Sequence, residues 1–222
     1  MYLPTAILIF FSALACAEQP LVELPHISVD PSNQESVFRG AVFFAAKCQS
    51  CHSMAYLRYD KISNEAGVKY GMAPTWPAGA WMGHPPPDLS LVAITRGSDW
   101  VYGYLKGYYK EGDGYQNLVE KNTRMPNPYP ALQGDQVLTM SLESIEKERP
   151  RLFRALRLEK AGTIPAHDFN TKVLDLVHYL VYASDPSVIE RKSIAPYVLA
   201  FLMVFALSTF LLYRSFKKDL DQ

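Results

Sequence analysis

Two cysteines, a histidine and a methionine fall within seven positions of "FFAAKCQSCHSM", residues 43 to 54: Cys48, Cys51, His52 and Met54. A thiol pair at this spacing can hold a metal, cycle as a redox disulfide or attach a haem covalently. C-x-x-C-H is the signature of the third. The two sulfurs add to the haem vinyl groups, and the adjacent imidazole becomes an iron ligand. A helical turn suits this chemistry because it presents both sulfurs and the ring to one edge and one face of the porphyrin. The rest of the chain weighs against the rivals. A structural zinc site wants four ligands, and beyond this pair the chain has only Cys16, inside an expected cleaved leader. A thioredoxin-like pair wants a βαβ context, whereas "AVFFAAKCQSC" reads as helix. A plain disulfide across so short a loop would stabilise little. The motif therefore points to one haem c, covalent through Cys48 and Cys51, with His52 on the iron.

The iron then needs a sixth ligand or an open site. Methionine sulfur is the usual partner of histidine in electron-transfer cytochromes. Met54 is too close along the chain to reach the opposite face, which leaves Met72, Met82, Met125 and Met140. Met125, in "NTRMPNPYPALQG", has the best context, because proline-fixed backbone angles can hold a sulfur in place. Met72, in "GMAPTW", is its rival. A bis-histidine site would draw on His84, His167 or His178, each more simply read as a surface or helix residue.

The elements that must position these groups come next. "SNQESVFRGAVFFAAKC" predicts a helix running into Cys48, with Ser32 and Glu35 as a capping box and Val37, Ala41 and Phe44 on one face. "DFNTKVLDLVHYLVYASDP", residues 168 to 186, predicts a second amphipathic helix. Its stripe is Val173, Leu176, Val177, Leu180 and Val181, and Asp168 or Asn170 is the candidate cap. Between them, residues 70–87 and 107–134 are rich in Gly, Pro and aromatics, and such irregular tracts need something to wrap around. Residues 139–164 are highly charged and fit a hairpin or a helix equally.

The two ends are apolar. Residues 6–17 are too few to cross a bilayer, and Ala15-Cys16-Ala17 fits a signal cleavage site, so residues 1–17 are expected to be removed. Near the C-terminus, residues 194–213 carry no charge and at about 1.5 Å per residue span roughly 30 Å, the hydrocarbon thickness. Pro196 is placed in the first turn of that span. The expected organisation is an exported domain over 18–190, a membrane anchor over 191–214 and a cytoplasmic tail over 215–222. Export fits covalent haem, which bacteria attach outside the cytoplasmic membrane.

The chain has 22 basic and 22 acidic side chains. No glycine-rich phosphate loop and no Lys/Arg cluster appears, so nucleotide and nucleic-acid binding have no support. The segment after Pro186 is +2 and the remainder −2, which leads to an expected mildly acidic face at the haem edge for a docking partner.

Three longer segments carry a resemblance. "RGAVFFAAKCQSCHSMAYLRYD", "PPDLSLVAITRGSDWVYGYLKGY" and "MPNPYPALQG" resemble the haem-attachment, second-signature and methionine-loop segments of the cytochrome c1 family, and the single C-terminal anchor is also that family's. The resemblance implies a mainly α c-type cytochrome fold wrapped around one haem with long irregular loops, plus one C-terminal transmembrane helix. It implies His52 and Met125 as axial ligands, Arg96 on a haem propionate and Pro87 packed on the histidine side, with a carbonyl of that loop fixing the His52 ring. Trp100 stands where the family often has tyrosine. The implied function is to take one electron from the Rieske iron–sulfur protein and pass it to a cytochrome c acceptor, without bond-making chemistry. That work is done beside cytochrome b in a dimeric complex of the bacterial inner membrane, with the haem domain in the periplasm. The competing classes are a c-type subunit of another respiratory complex and a non-haem thiol or zinc module.

Overall fold

The computed structural model describes residues 20–69, 76, 77 and 79–220, apart from the side chains at 82 and 218–220. The expected signal segment with Cys16, and the candidate ligand Met72, lie outside the described residues. The elements run α1 (Gln34–Lys47), α2 (Lys61–Glu65), a 3-10 turn (Ala80–Gly83), α3 (Val92–Arg96), α4 (Ser98–Lys106), β1 (Tyr108–Glu111), β2 (Gly114–Asn117), α5 (Pro130–Gln133), β3 (Gly134–Leu138), α6 (Leu142–Glu148), α7 (Leu152–Ala155), β4 (Leu156–Ala161), α8 (Ala166–Ser184) and α9 (Val188–Leu220). Strands are confined to two antiparallel ladders, β1–β2 and β3–β4, so the fold is mainly α.

The core rests on α1 crossing α8. Val37, Ala41 and Phe44 are fully buried and share one cluster with Val173, Leu176, Val177 and Leu180. Val181, at the edge of the expected stripe, is half buried. Gly40 lets the helices touch: a Cβ there would stand 2.0 Å from the Asp175 carbonyl oxygen, closer than any side chain can come. A polar seam locks the same crossing. Arg39 donates from Nε to Asp175 Oδ2 at 2.7 Å and from Nη2 to Oδ1 at 3.0 Å. Ser36 Oγ donates to Asp175 Oδ1 at 2.5 Å and also meets His178 Nδ1.

Both caps differ from expectation. Asn33, not Ser32, caps α1, its Oδ1 accepting from the Ser36 N–H at 3.1 Å. Ser32 instead donates to Asp30 Oδ1 at 2.6 Å. Serine and asparagine cap equally well, and Asp30 captures the serine. α8 begins after Pro165 with no side-chain cap. Asp168 sits inside its first turn, where a negative charge still suits the helix dipole.

The middle of the chain is more regular than its composition suggests. The 107–134 tract contains the β1–β2 hairpin, whose turn includes Gly112 at φ +57. The 139–164 tract is neither simply helix nor hairpin. It holds α6, α7 and β4, and β4 pairs back to β3 with a register shift at Asp135/Gln136. A second cluster, including Leu118, Ile145 and Leu152, is buried beneath these elements.

α9 starts at Val188, before the expected anchor boundary, and contains Pro196 in its interior rather than its first turn. The polar Glu190–Lys192 segment is helical too, which places the proline in the third turn. Within Val188–Lys217 the most apolar 18-residue stretch has a mean hydropathy of 2.2 and is not buried within the chain. A helix that is apolar all round has lipid as its natural solvent, so α9 is long and apolar enough to cross a membrane.

Candidate haem site

The C-x-x-C-H turn grows directly out of α1. The Cys48 N–H still donates to Phe44 O at 2.8 Å, and Cys51 and His52 donate to Cys48 O at 3.0 and 2.9 Å. The helix therefore ends by wrapping once around Cys48. Cys48 and His52 are buried and Cys51 is half buried. Burial pushes the Cys48 thiol up to about 12, so it is not a thiolate at neutral pH. Reactive redox or metal-binding cysteines have lowered values instead. Among the described residues, no group of three His, Cys, Asp or Glu side chains converges to hold a metal ion.

His52 is fixed by a backbone group. Its Nδ1–H donates to the Pro87 carbonyl oxygen at 2.8 Å, which leaves Nε2 with its lone pair. Burial lowers the His52 pKa against the opposing pull of the Pro87 carbonyl and Asp88, so the ring is neutral and able to ligate a metal.

The segment that supplies Pro87 is stitched to the motif by Asp88, whose role the sequence did not reveal. Asp88 Oδ2 accepts from Ser53 Oγ at 2.5 Å and from the Ala55 N–H at 2.7 Å, and Oδ1 accepts from the Ser90 N–H at 2.9 Å. Leu89 N–H donates to Ser53 O at 3.0 Å. Burial alone would raise the Asp88 pKa, but the hydrogen bonds from Ser53, Ser90 and Ala55 outweigh it and hold the group below its ordinary 3.8. A carboxyl lowered on folding adds stability above its unfolded pKa and loses it as pH falls through the folded one. Asp88→Asn is therefore expected to cost about 1–2 kcal/mol at pH 7. The gap to the unsubstituted protein should close as pH falls below 3.8. Denaturant unfolding at neutral and acid pH checks this, and a gap independent of pH would refute it.

Cys48, Cys51, His52, Pro87, Arg96 and Met125 all line one cavity of about 580 Å³. That size suits a cofactor-sized ligand. The wall is mostly apolar, with Phe44, Leu105 and Leu180 among its residues. Tyr129 adds a buried polar orphan. Its hydroxyl has no hydrogen-bond partner among the described residues, and it feels Cys48 and Tyr104 electrostatically, two residues of the cavity wall. These residues fit a covalently held haem.

Met125 is half buried in the loop between β2 and α5 and is the cavity-lining methionine among the described side chains. Met54 is buried in the main cluster at 2% exposure, and Met140 packs on the second cluster. Of the alternative histidines, His178 belongs to the α1–α8 seam and His167 is exposed beside Asp168. His84 does line the cavity, from an exposed position.

Arg96 ends α3. Its guanidinium lies 4.7 Å from the Trp100 ring centre and 3.9 Å from Glu120 Oε2. Trp100, in the family's tyrosine position, thus offers a π face rather than a hydroxyl. Lys47 and Arg124 also line the cavity, so the charged lining is three cations against Glu120.

The comparisons with known proteins agree with this geometry. The model of the Cytochrome C1 family matches residues 75–220, which contain Pro87, Arg96, Met125 and α9. The chain is 31% identical over 218 residues to "Cytochrome c1" of Allochromatium vinosum, covering 88% of this chain and 89% of that one. It is 29% identical over 220 residues to "Ammonia monooxygenase gamma subunit" of Nitrosomonas europaea, covering 90% and 89%. A haem-attachment turn, a cavity that gathers the second-signature and methionine-loop residues, and a spanning-length C-terminal helix match this likeness: the chain belongs to the cytochrome c1 family, the electron-transfer subunits of the bc1 complex that carry covalently bound haem c.

Proposed function

We propose that this chain takes one electron from the Rieske iron–sulfur protein and hands it to a cytochrome c acceptor. One haem would be held by thioethers to Cys48 and Cys51, with His52 and Met125 as its axial ligands. The observation that carries the reading is the convergence of these four residues on one largely apolar cavity, with His52 already oriented by Pro87. The haem supplies a one-electron couple. The residues around it do the rest. Pro87 O fixes the tautomer of His52, and a neutral, oriented imidazole is what iron ligation needs. The Met125 thioether favours the ferrous state and so raises the potential. The apolar wall disfavours uncompensated charge and works in the same direction. Arg96, aided by Lys47 and Arg124, offers cations to the haem carboxylates, and Trp100 backs the Arg96 plane.

In this reading residues 1–17 are a removed signal and residues 18–190 form a periplasmic haem domain. Residues 191–214 anchor it in the bacterial inner membrane, and residues 215–222 stay in the cytoplasm. Cytochrome b and the Rieske protein are its complex partners, and the complex is a dimer. The Nitrosomonas relative's name offers a second assembly, an ammonia monooxygenase. Purification of the full-length holoprotein from membranes in mild detergent separates the two. A haem-stained chain co-migrating with a b-type cytochrome and an iron–sulfur protein is the expected result. Co-migration with monooxygenase subunits alone would overturn it.

A further inference from the structure

We infer that Tyr108 and Tyr104 are positioning residues for Met125: a chain of hydroxyls runs from Thr123 through both phenols to the Met125 carbonyl and holds the methionine segment at the cavity wall. The inference rests on the reading of Met125 as the sixth ligand. Residues 118–129, between β2 and α5, contain no helix or strand. Such a segment has little intrinsic stiffness beyond Pro126 and Pro128, which bias Met125 and Asn127 toward extended backbone. Something outside the loop must then fix where the sulfur sits.

The anchor comes from the α4–β1 junction. Trp100, Tyr104 and Tyr108 recur at four-residue spacing. Trp100 and Tyr104 stack at 4.9 Å with planes 8° apart, and Tyr108 meets Tyr104 edge-on at 5.6 Å. This aromatic column faces the methionine loop. Tyr108 Oη donates to Met125 O at 3.1 Å. Tyr108 and Tyr104 hydroxyls lie 3.1 Å apart, and Tyr104 Oη lies 2.6 Å from Thr123 Oγ1. A carbonyl can only accept, and each hydroxyl has one proton. Tyr108 therefore shares its one proton between Met125 O and Tyr104 Oη, and Tyr104 in turn pairs with Thr123 Oγ1. The three hydroxyls and the Met125 carbonyl form one connected network, and the members of such a network hold one another in place. Tyr108 is 1% exposed, so no water competes for that carbonyl from its side.

The start of the loop is tied to the same helix. Asn117 Nδ2 donates to Tyr104 O at 2.8 Å, while its Oδ1 accepts from the Val119 N–H at 2.8 Å. Tyr104 itself lines the cavity. Tyr104 in α4 thus holds the loop at residues 117 and 123, and Tyr108 at the start of β1 holds it at 125.

The test uses the full-length holoprotein in detergent, with Tyr108→Phe, Thr123→Val and Met125→Leu. A merely structural tyrosine would change stability without changing how often the sulfur leaves the iron. Carbon monoxide reads that directly, because its apparent affinity for ferrous haem scales with the fraction of molecules whose sixth site is open. Loss of one buried hydrogen bond is expected to raise carbon monoxide affinity by about five- to tenfold in Tyr108→Phe, and to weaken the sulfur–iron charge-transfer band. Thr123→Val should shift both the same way, by less. Should Tyr108→Phe fail to accumulate as holoprotein, Thr123→Val alone decides. An unchanged band and unchanged carbon monoxide affinity in the decisive variant overturns the clamp. Met125→Leu separates the two levels. If it abolishes the band while the clamp variants leave it intact, only the clamp fails. If it retains the band, the ligand reading fails and the clamp with it.

Discussion

The Cys48→Ala/Cys51→Ala double variant is expected to yield no polypeptide that keeps haem through denaturation, whereas each single variant keeps a haem held by one thioether. The expectation follows from where the thiols sit. Cys48 closes α1 and lines the same cavity as Cys51 and His52, and its buried, protonated thiol is unsuited to disulfide exchange at neutral pH. Stability should fall with the haem. At about 24 cal/mol per Å³, leaving empty a cavity of about 580 Å³ would cost roughly 14 kcal/mol, the order of a whole domain's stability. Exposed residues such as Lys47 border it, so water can enter and lower the cost. The sign stands: the double variant should also accumulate poorly and unfold at lower denaturant. Haem staining on a denaturing gel is the measurement, and full stain in the double variant would refute covalent attachment at these cysteines.

How far the sequence carries the argument depends on the range of the interaction involved. The α1 and α8 stripes are local periodic signals, and Val37, Ala41, Phe44, Val173 and Leu176 are buried accordingly. The α1 cap is also local, but Ser32 and Asn33 are adjacent and nearly equivalent caps, so the choice fell to Asp30, which takes the serine. β3 and β4 are separated by two helices, and β4 buries only its first residue. Its "LRLEKA" alternates only over Leu156–Glu159, too short a run in a charged tract to separate strand from helix, and its pairing is a long-range fact. The β1–β2 turn at Gly112 was readable, but composition led the surrounding tract to be taken as irregular. Gly40 needs a partner helix before its lack of a side chain means anything.

The site divides in the same way. Cys48, Cys51 and His52 are adjacent in sequence and form a motif. Pro87 and Arg96 entered only by family resemblance, because nothing local marks them as neighbours of a cavity, whereas Met125 is already favoured over Met72 by its proline-flanked loop. Asp88 and the Tyr104–Tyr108 pair lie inside the second-signature segment, but nothing in that segment marks the partners they take. Asp88's partners Ser53 and Ala55 lie 35 and 33 residues away. Tyr108 reaches Met125 across 17 residues and two strands. A tyrosine-rich helix reads as ordinary core until the loop it faces is in place.

Met125→Leu is expected to abolish the sulfur–iron charge-transfer band and lower the reduction potential by an amount on the order of 0.2 V, a fraction of the roughly 0.8 V range that axial ligands span. Thioether sulfur stabilises ferrous iron relative to ferric, so its removal favours the oxidised form, and that sets the direction. The substitution isolates the sulfur well. Leucine nearly matches methionine in volume, and such swaps usually cost under about 1.5 kcal/mol. The carbonyl that accepts from Tyr108 belongs to the backbone and survives the change. The comparison variant is Met72→Leu, because "GMAPTW" is the rival context in the sequence. It should leave the band intact and the potential nearly unchanged. Potentiometric titration of both holoproteins alongside the unsubstituted one makes the comparison. If the two variants exchange these outcomes, Met72 is the ligand and Met125 only lines the wall. If the unsubstituted holoprotein shows no such band, the exposed His84 at the cavity becomes the next residue to replace, since imidazole in the sixth position would lower the potential without any sulfur to lose.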